Sequence, residues 1–309
     1  MAAAVIFGSN GSLVKVLLET GLSAAQVTFA RTAGTALIAG VVLLITNRAA
    51  FRITPSQAGI FALLGVMGVA ILQWAYTIAV GILPVGIALL FEYLAVLMVA
   101  LFAFFVYRER VKARLWIAIA FVLAGLALVA QVWDASLDPF GVFMALCAAV
   151  SLAIYFLLGE REVAKSSPMA VGFWSMGFAA VFWLAFGDVW ALEPGALGEA
   201  ASLGGALDAV VLPLWIIAVI TVVFGSFTPF LLSLLALRHL TATAAGITAS
   251  FEVVFAFVVA WLWLGESLEL WQILGASVVL VGIVVAQTAR VNKVIDPDLA
   301  IARDDARIL

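Results

Sequence analysis

The chain has 309 residues, of which 66% are hydrophobic and only 11% charged, with a mean hydropathy of +1.26. Soluble domains run at about 45–50% apolar and about 25% charged residues, so this chain has too little polar surface to coat a water-soluble globule. Its net charge of −3 matters less than where the charges lie, and a single histidine, His239, and a single cysteine, Cys147, leave no ligand set for zinc or copper and no intramolecular disulfide.

A spanning helix needs roughly 20 mostly apolar residues, because the hydrocarbon core is about 30 Å thick and each residue rises 1.5 Å. In chain order the runs are 2–19, 24–45, 57–80, 84–106, 114–133, 139–159, 169–187, 210–236, 241–264 and 270–288. The first lacks the basic stretch of a cleavable signal peptide. It barely spans, which leaves either a start a few residues upstream or a first helix seated low in the membrane. Turn chemistry separates the runs at Thr54-Pro55-Ser56, Asp138-Pro139 and Ser166-Ser167-Pro168. Everything ordered is expected to be helical, with no strand. The tail 289–309 mixes both charges without an apolar face and is expected to be disordered.

Loop charges orient the spans. Arg48 and Arg52 follow span two, Arg108, Arg110, Lys112 and Arg114 follow span four, and Arg161 and Lys165 follow span six. Arg238 follows span eight, and Arg290, Lys293, Arg303 and Arg307 follow span ten. Every cation except Lys15 and Arg31 therefore falls on one side, while the long loop from Asp188 to Asp208 on the other side is acidic. The positive-inside rule then puts both termini in the cytoplasm, on a bacterial-type cell membrane.

The chain also repeats itself. Gly86-Ile-Ala-Leu-Leu-Phe-Glu92 returns 160 residues later as Gly246-Ile-Thr-Ala-Ser-Phe-Glu252, and Glu109 with Gly125 returns 157 residues later as Glu266 with Gly282. Five spans per copy is an odd number, so the second copy enters the membrane upside down. Inverted repeats give a transporter two near-equivalent arrangements with a ligand site between them near the midplane. The blander reading is that duplication is only an economical way to build a bundle.

The repeat unit, with its Gly-Ile-x-x-x-Phe-Glu turn, Leu264-Gly265-Glu266 and the opening Phe7-Gly8-Ser9-Asn10, resembles the EamA domain of the drug/metabolite transporter superfamily. The resemblance covers residues 1–288. It implies an all-α membrane protein of ten transmembrane helices in two inverted five-helix repeats, 1–133 and 139–288. Pro84 to Glu92 with Val99-Ala-Leu-Phe102 is similar to the threonine/homoserine exporter branch. There, a proline usually follows the membrane glutamate; Tyr93-Leu-Ala-Val and Val253-Val-Phe-Ala replace it here, which puts helix kinks at those points in question.

Four ionisable residues lie within spans: Lys15, Arg31, Glu92 and Glu252. Each charge costs at least roughly 2.5–3.5 kcal/mol at the bilayer centre, so each needs a partner or a wet cavity. Lys15 reads as a snorkelling anchor or as a pocket residue. Arg31 shares a face with Thr28 and Thr35 and reads as a cavity residue ahead of an ion pair with Glu92. Glu92 and Glu252 are candidates for binding and releasing a coupling proton, against a helix-pinning hydrogen bond. Glu109 and Glu266, just past span ends, read as loop or helix-capping residues.

Asn10 and Ser12 in span one, Gln73, Trp74 and Thr77 in span three, Ser151 and Tyr155 in span six, and Thr248 in span nine are the expected cavity lining. For any one of them, helix–helix hydrogen bonding is the simpler reading. Trp116, Trp133, Trp190, Trp215 and Trp271 fall near span ends and read as interfacial anchors.

The expected function is therefore export of a small metabolite, amino acid-like or amphipathic, by alternating access, with protons as a coupling ion and no cofactor. An intramembrane lipid-modifying enzyme would need a nucleophile–base or metal constellation, and neither a His-rich helix nor a paired-carboxylate motif is present. A non-saturable channel would call for rings of like charge, whereas unlike charges cluster here. No phosphate-binding glycine loop points to nucleotides, and nothing points to nucleic acid.

Overall fold

The computed structural model describes residues 2–106, 114–129, 137–163, 165–193, 195–229, 231–232 and 242–289. Helices dominate because, away from water, a segment must satisfy its backbone groups internally. The helices are α1 (Ala2–Glu19), α2 (Ala24–Thr46), α3 (Pro55–Ile82), α4 (Val85–Glu92), α5 (Leu94–Val106), α6 (Arg114–Val129), α7 (Pro139–Val163), α8 (Pro168–Phe186), α9 (Leu214–Val222), α10 (Ala242–Val259) and α11 (Leu270–Ala289). Among the described residues four of them, α2, α3, α7 and α8, are long and apolar enough by length and composition to cross a membrane.

The turn signals act as caps. Ser23 and Thr54 each form a capping box, with Gln26 and Gln57, at the starts of α2 and α3. Ser167 caps α8, where Pro168 opens the first turn, and Asp138 Oδ1 accepts from the Phe140 and Gly141 amides to cap α7.

Three features depart from plain helices. First, the helix through the first membrane glutamate stops at Glu92 and restarts at Leu94, with Tyr93 (φ −67°, ψ −7°) as the turn between. The kink is present without proline. Second, π-turns widen the helices at Val66–Ala70, Val223–Phe227 and Ala260–Leu264. The first two lie 157 residues apart, each with glycine third, at Gly68 and Gly225. Third, the expectation of no strand is corrected. Ala200–Ser202 pairs antiparallel with Val211–Pro213, so the segment expected to open span eight at 210 is strand to Pro213 and helix only from Leu214. Gly204 and Gly205, both at positive φ, make the turn possible.

The tightest helix pair is α6 on α11, and its packing is reciprocal. A Cβ on Gly125 would lie 2.7 Å from the Gly275 carbonyl oxygen and from Val279 Cγ2. Gly282, 157 residues after Gly125, faces Ala118 and Val122, which lie 157 residues before Gly275 and Val279. Such exchange of contacts is the signature of a two-fold axis.

Arg108 with Glu109, Arg110 and Lys112, Trp133, Arg238, His239 and the tail beyond residue 289 lie outside the described residues, as does the side chain of Thr248.

Candidate functional site

Helix α1 is the spine of the buried polar region. Gly8 and Gly11 let neighbours close in. A Cβ on Gly8 would come within 2.9 Å of the Glu252 carbonyl oxygen, and one on Gly11 within 2.6 Å of the Tyr76 hydroxyl. Beside them Asn10, oriented so that both its amide atoms are satisfied, donates to the Gly225 carbonyl and accepts from Arg31 Nη2, each at 3.0 Å. Arg31 is 5% exposed and its Nε donates to Ser226 Oγ at 3.1 Å. The local reason is the π-turn: one extra residue leaves a carbonyl without its usual helical partner, and Asn10 supplies the donor. At the related turn, Trp183 Nε1 of α8 donates to the Ala70 carbonyl at 3.3 Å.

Arg31 Nη1 and Glu92 Oε2 are buried and without a hydrogen-bond partner among the described residues, and the two side chains form no ion pair. Glu252 is engaged: Tyr93 donates its hydroxyl to Glu252 Oε2 at 2.6 Å. Lys15 neither snorkels free nor joins Arg31. It pairs with Glu266, whose second oxygen accepts from the Val85 amide at 2.9 Å. Glu266 is thus a cap, on a helix far away in sequence.

The remaining predicted lining divides. Among the described residues the buried Ser12 and Thr35 hydroxyls find no partner, nor does Gln73 Oε1. Gln73 Nε2 reaches Met176 Sδ at 3.7 Å, and Trp74 packs on Trp183 with ring centroids 5.6 Å apart, so both face α8 and not Arg31. Thr77 bonds back to the Gln73 carbonyl and Thr28 to that of Ala24. Ser151 is buried, and Tyr155 packs its backbone on Gly68. Sequence reasoning missed Tyr76, Ser226, Trp183 and the buried Glu162, which pairs with Lys165 at 2.9 Å. Tyr93 it met only as a missing proline. Trp116, Trp190, Trp215 and Trp271 are exposed, as anchors would be.

Two cavities lie at opposite ends of α2. One of about 540 Å³ sits between the α1–α2 turn and the β-hairpin and is lined by Glu19, Gln26, Glu193, Glu199, Ser202 and Asp208, among others. The other, about 240 Å³, includes Asn47, Arg52, Gln57, Ser166 and Trp174. Among the described residues no group of three or more His, Cys, Asp or Glu side chains could hold a metal.

The sequence profile of the EamA-like transporter family matches residues 1–131 and again 139–288. An uncharacterized transporter of Archaeoglobus fulgidus is 28% identical over 178 residues, 58% of this chain and 58% of that protein. The threonine/homoserine exporter RhtA of Salmonella typhimurium is 29% identical over 211 residues, 68% of this chain and 64% of the exporter. These matches thus span about three-fifths of the length of the curated relatives. One crystal structure shares the fold with a TM-score of 0.59 at 17% identity, covering 94% of this chain and 98% of its own.

Proposed function

Because the chain belongs to the EamA-like transporter family, we propose that this multi-pass membrane protein is a secondary transporter exporting a small metabolite by alternating access. In this reading ten helices form two inverted five-helix repeats, 1–133 and 139–288, with both termini cytoplasmic. The reciprocal seam at Gly125 and Gly282 and the π-turns 157 residues apart support it.

One observation carries the proposal. The polar links around α1 run from the first copy to the second: Asn10 to Gly225, Arg31 to Ser226, Tyr93 to Glu252, and Lys15 and Val85 to Glu266. Buried polar groups are expensive in lipid, and in transporters they mark the path. Placing them on the plane where two copies must move against each other gives a substrate or a proton something to bind in one arrangement and lose in the other. Arg31, Glu92 and Glu252 are the substrate and coupling residues, with Asn10, Ser12 and Thr35 beside them. An amino acid-like cargo fits the unlike charges, and a related exporter is named for threonine and homoserine.

The test is L-threonine counterflow in proteoliposomes, driven with and without a pH gradient. Wild type should saturate. Glu252→Gln, matched for folding, should lose the dependence on the gradient. Unchanged flux and unchanged gradient dependence in the variant would remove Glu252 from coupling, and non-saturable flux in wild type would favour a channel.

A further inference from the structure

Glu266 holds two groups at once. Its Oε1 pairs with the Lys15 ammonium, and its Oε2 accepts from the amide of Val85, the first residue of α4, at 2.9 Å. It therefore occupies the anion position at a helix N-terminus and an ion pair simultaneously. Its place along α1 is the informative part. Val16 and Glu19 line the 540 Å³ cavity beneath the hairpin; Lys15 comes next; Gly11, against the Tyr76 hydroxyl, and Gly8, against the Glu252 backbone, lie beyond. At 1.5 Å per residue Lys15 is about 6 Å from Glu19 and, on the same face, about 10.5 Å from Gly8. Anything moving along this face of α1 between the cavity and the buried cluster meets the pair.

The surroundings allow the pair to part. The Lys15 and Glu266 side chains are 24% and 13% exposed, so water can take over either partner. Glu266 follows Gly265, in the left-handed region at φ 70°, and the widened turn Ala260–Leu264, a backbone that bends more readily than a regular helix. The hairpin is fastened to the same turn. Trp263 Nε1 donates to the Leu203 carbonyl at 2.9 Å, and Gly205 packs directly on the Trp263 carbonyl.

We propose that the Lys15–Glu266 pair is the gate on the hairpin side of the transport path, closed as seen here and parted, with the Val85 amide released, when the path opens toward the cavity. This rests on the alternating-access reading above. It assigns Lys15 and Glu266 to gating and not to cargo.

The test uses a C147S background carrying S12C as reporter, since Ser12 is fully buried and three residues from Lys15. In sided vesicles exposing the hairpin face, an impermeant maleimide should label S12C slowly. Adding E266Q or K15M should speed labelling about tenfold, and the charge swap K15E/E266K should bring the rate back toward the parent. Separately, K15C/E266C should lose L-threonine counterflow on oxidation and regain it with reductant. Unchanged labelling in both single variants as monodisperse protein, or full counterflow through oxidised K15C/E266C, overturns the gate. Labelling needs no transport, so gated labelling without threonine counterflow counts against the cargo assignment and for the gate.

Discussion

The two membrane glutamates stand 160 residues apart in matching sequence, yet the chain treats them differently. Glu252 sits mid-helix in α10, which runs unbroken from Ala242 to Val259, and it receives the Tyr93 hydroxyl. Glu92 ends α4, at the turn that carries Tyr93, and its Oε2 is buried without a hydrogen-bond partner among the described residues. The difference traces to one position. Tyr93 has Val253 as its counterpart, so at this position only the first copy carries a side-chain donor. The two stretches agree up to the glutamate and part at the next residue, and the centre is lopsided there: one carboxylate is held, while among the described residues the other keeps an oxygen open.

The largest effect is expected where the copies still agree. Gly125→Val forces a branched side chain against the Gly275 carbonyl and Val279, and should cost about 3 kcal/mol, read as loss of monodisperse protein and a lower unfolding midpoint in detergent. Gly282→Val meets Ala118 and Val122 in the mirrored arrangement and should cost about the same. A large inequality between the two would mean that the seam is no longer two-fold.

A smaller effect is expected where the copies part. Tyr93→Phe removes one hydroxyl and leaves Glu252 Oε2 short of a donor in a place that water reaches poorly, at a cost of about 1–3 kcal/mol. Val253→Ile, at the counterpart, adds one methylene and removes no hydrogen bond, so detergent unfolding should separate the two variants clearly. Equal midpoints would remove Tyr93 as the source of the asymmetry.

The helices were legible because bilayer thickness dictates run length, and because Thr54, Asp138 and Ser167 mark their starts. The repeat was legible in Gly-Ile-x-x-x-Phe-Glu. The π-turns were not: Val66-Met-Gly68 and Val223-Phe-Gly225 look like any apolar helix, and only tertiary donors such as Asn10 and Trp183 make the extra residue tolerable. The partner of Lys15 was hidden for a related reason. Glu266 is 251 residues away, and only the folded bundle brings the segment after the Ala260–Leu264 turn to the hairpin side of α1. The hairpin escaped because three-residue strands in an acidic loop carry no alternation long enough to read.

The smallest effect should come from Glu92→Gln. Oε2 has no donor to lose, and an amide in its place takes an acidic group out of a poorly solvated site. The opposing term is that the new NH₂ must find an acceptor. These two nearly cancel, so the unfolding midpoint should move by less than about 1 kcal/mol in equivalent free energy, well below the shift for Tyr93→Phe. Transport is where the variant should show, because an open oxygen that does little for the fold is free to serve cargo. A Glu92→Gln protein as destabilised as Tyr93→Phe would mean that both glutamates are pinned alike. The contrast between the two copies would then be one of helix geometry alone.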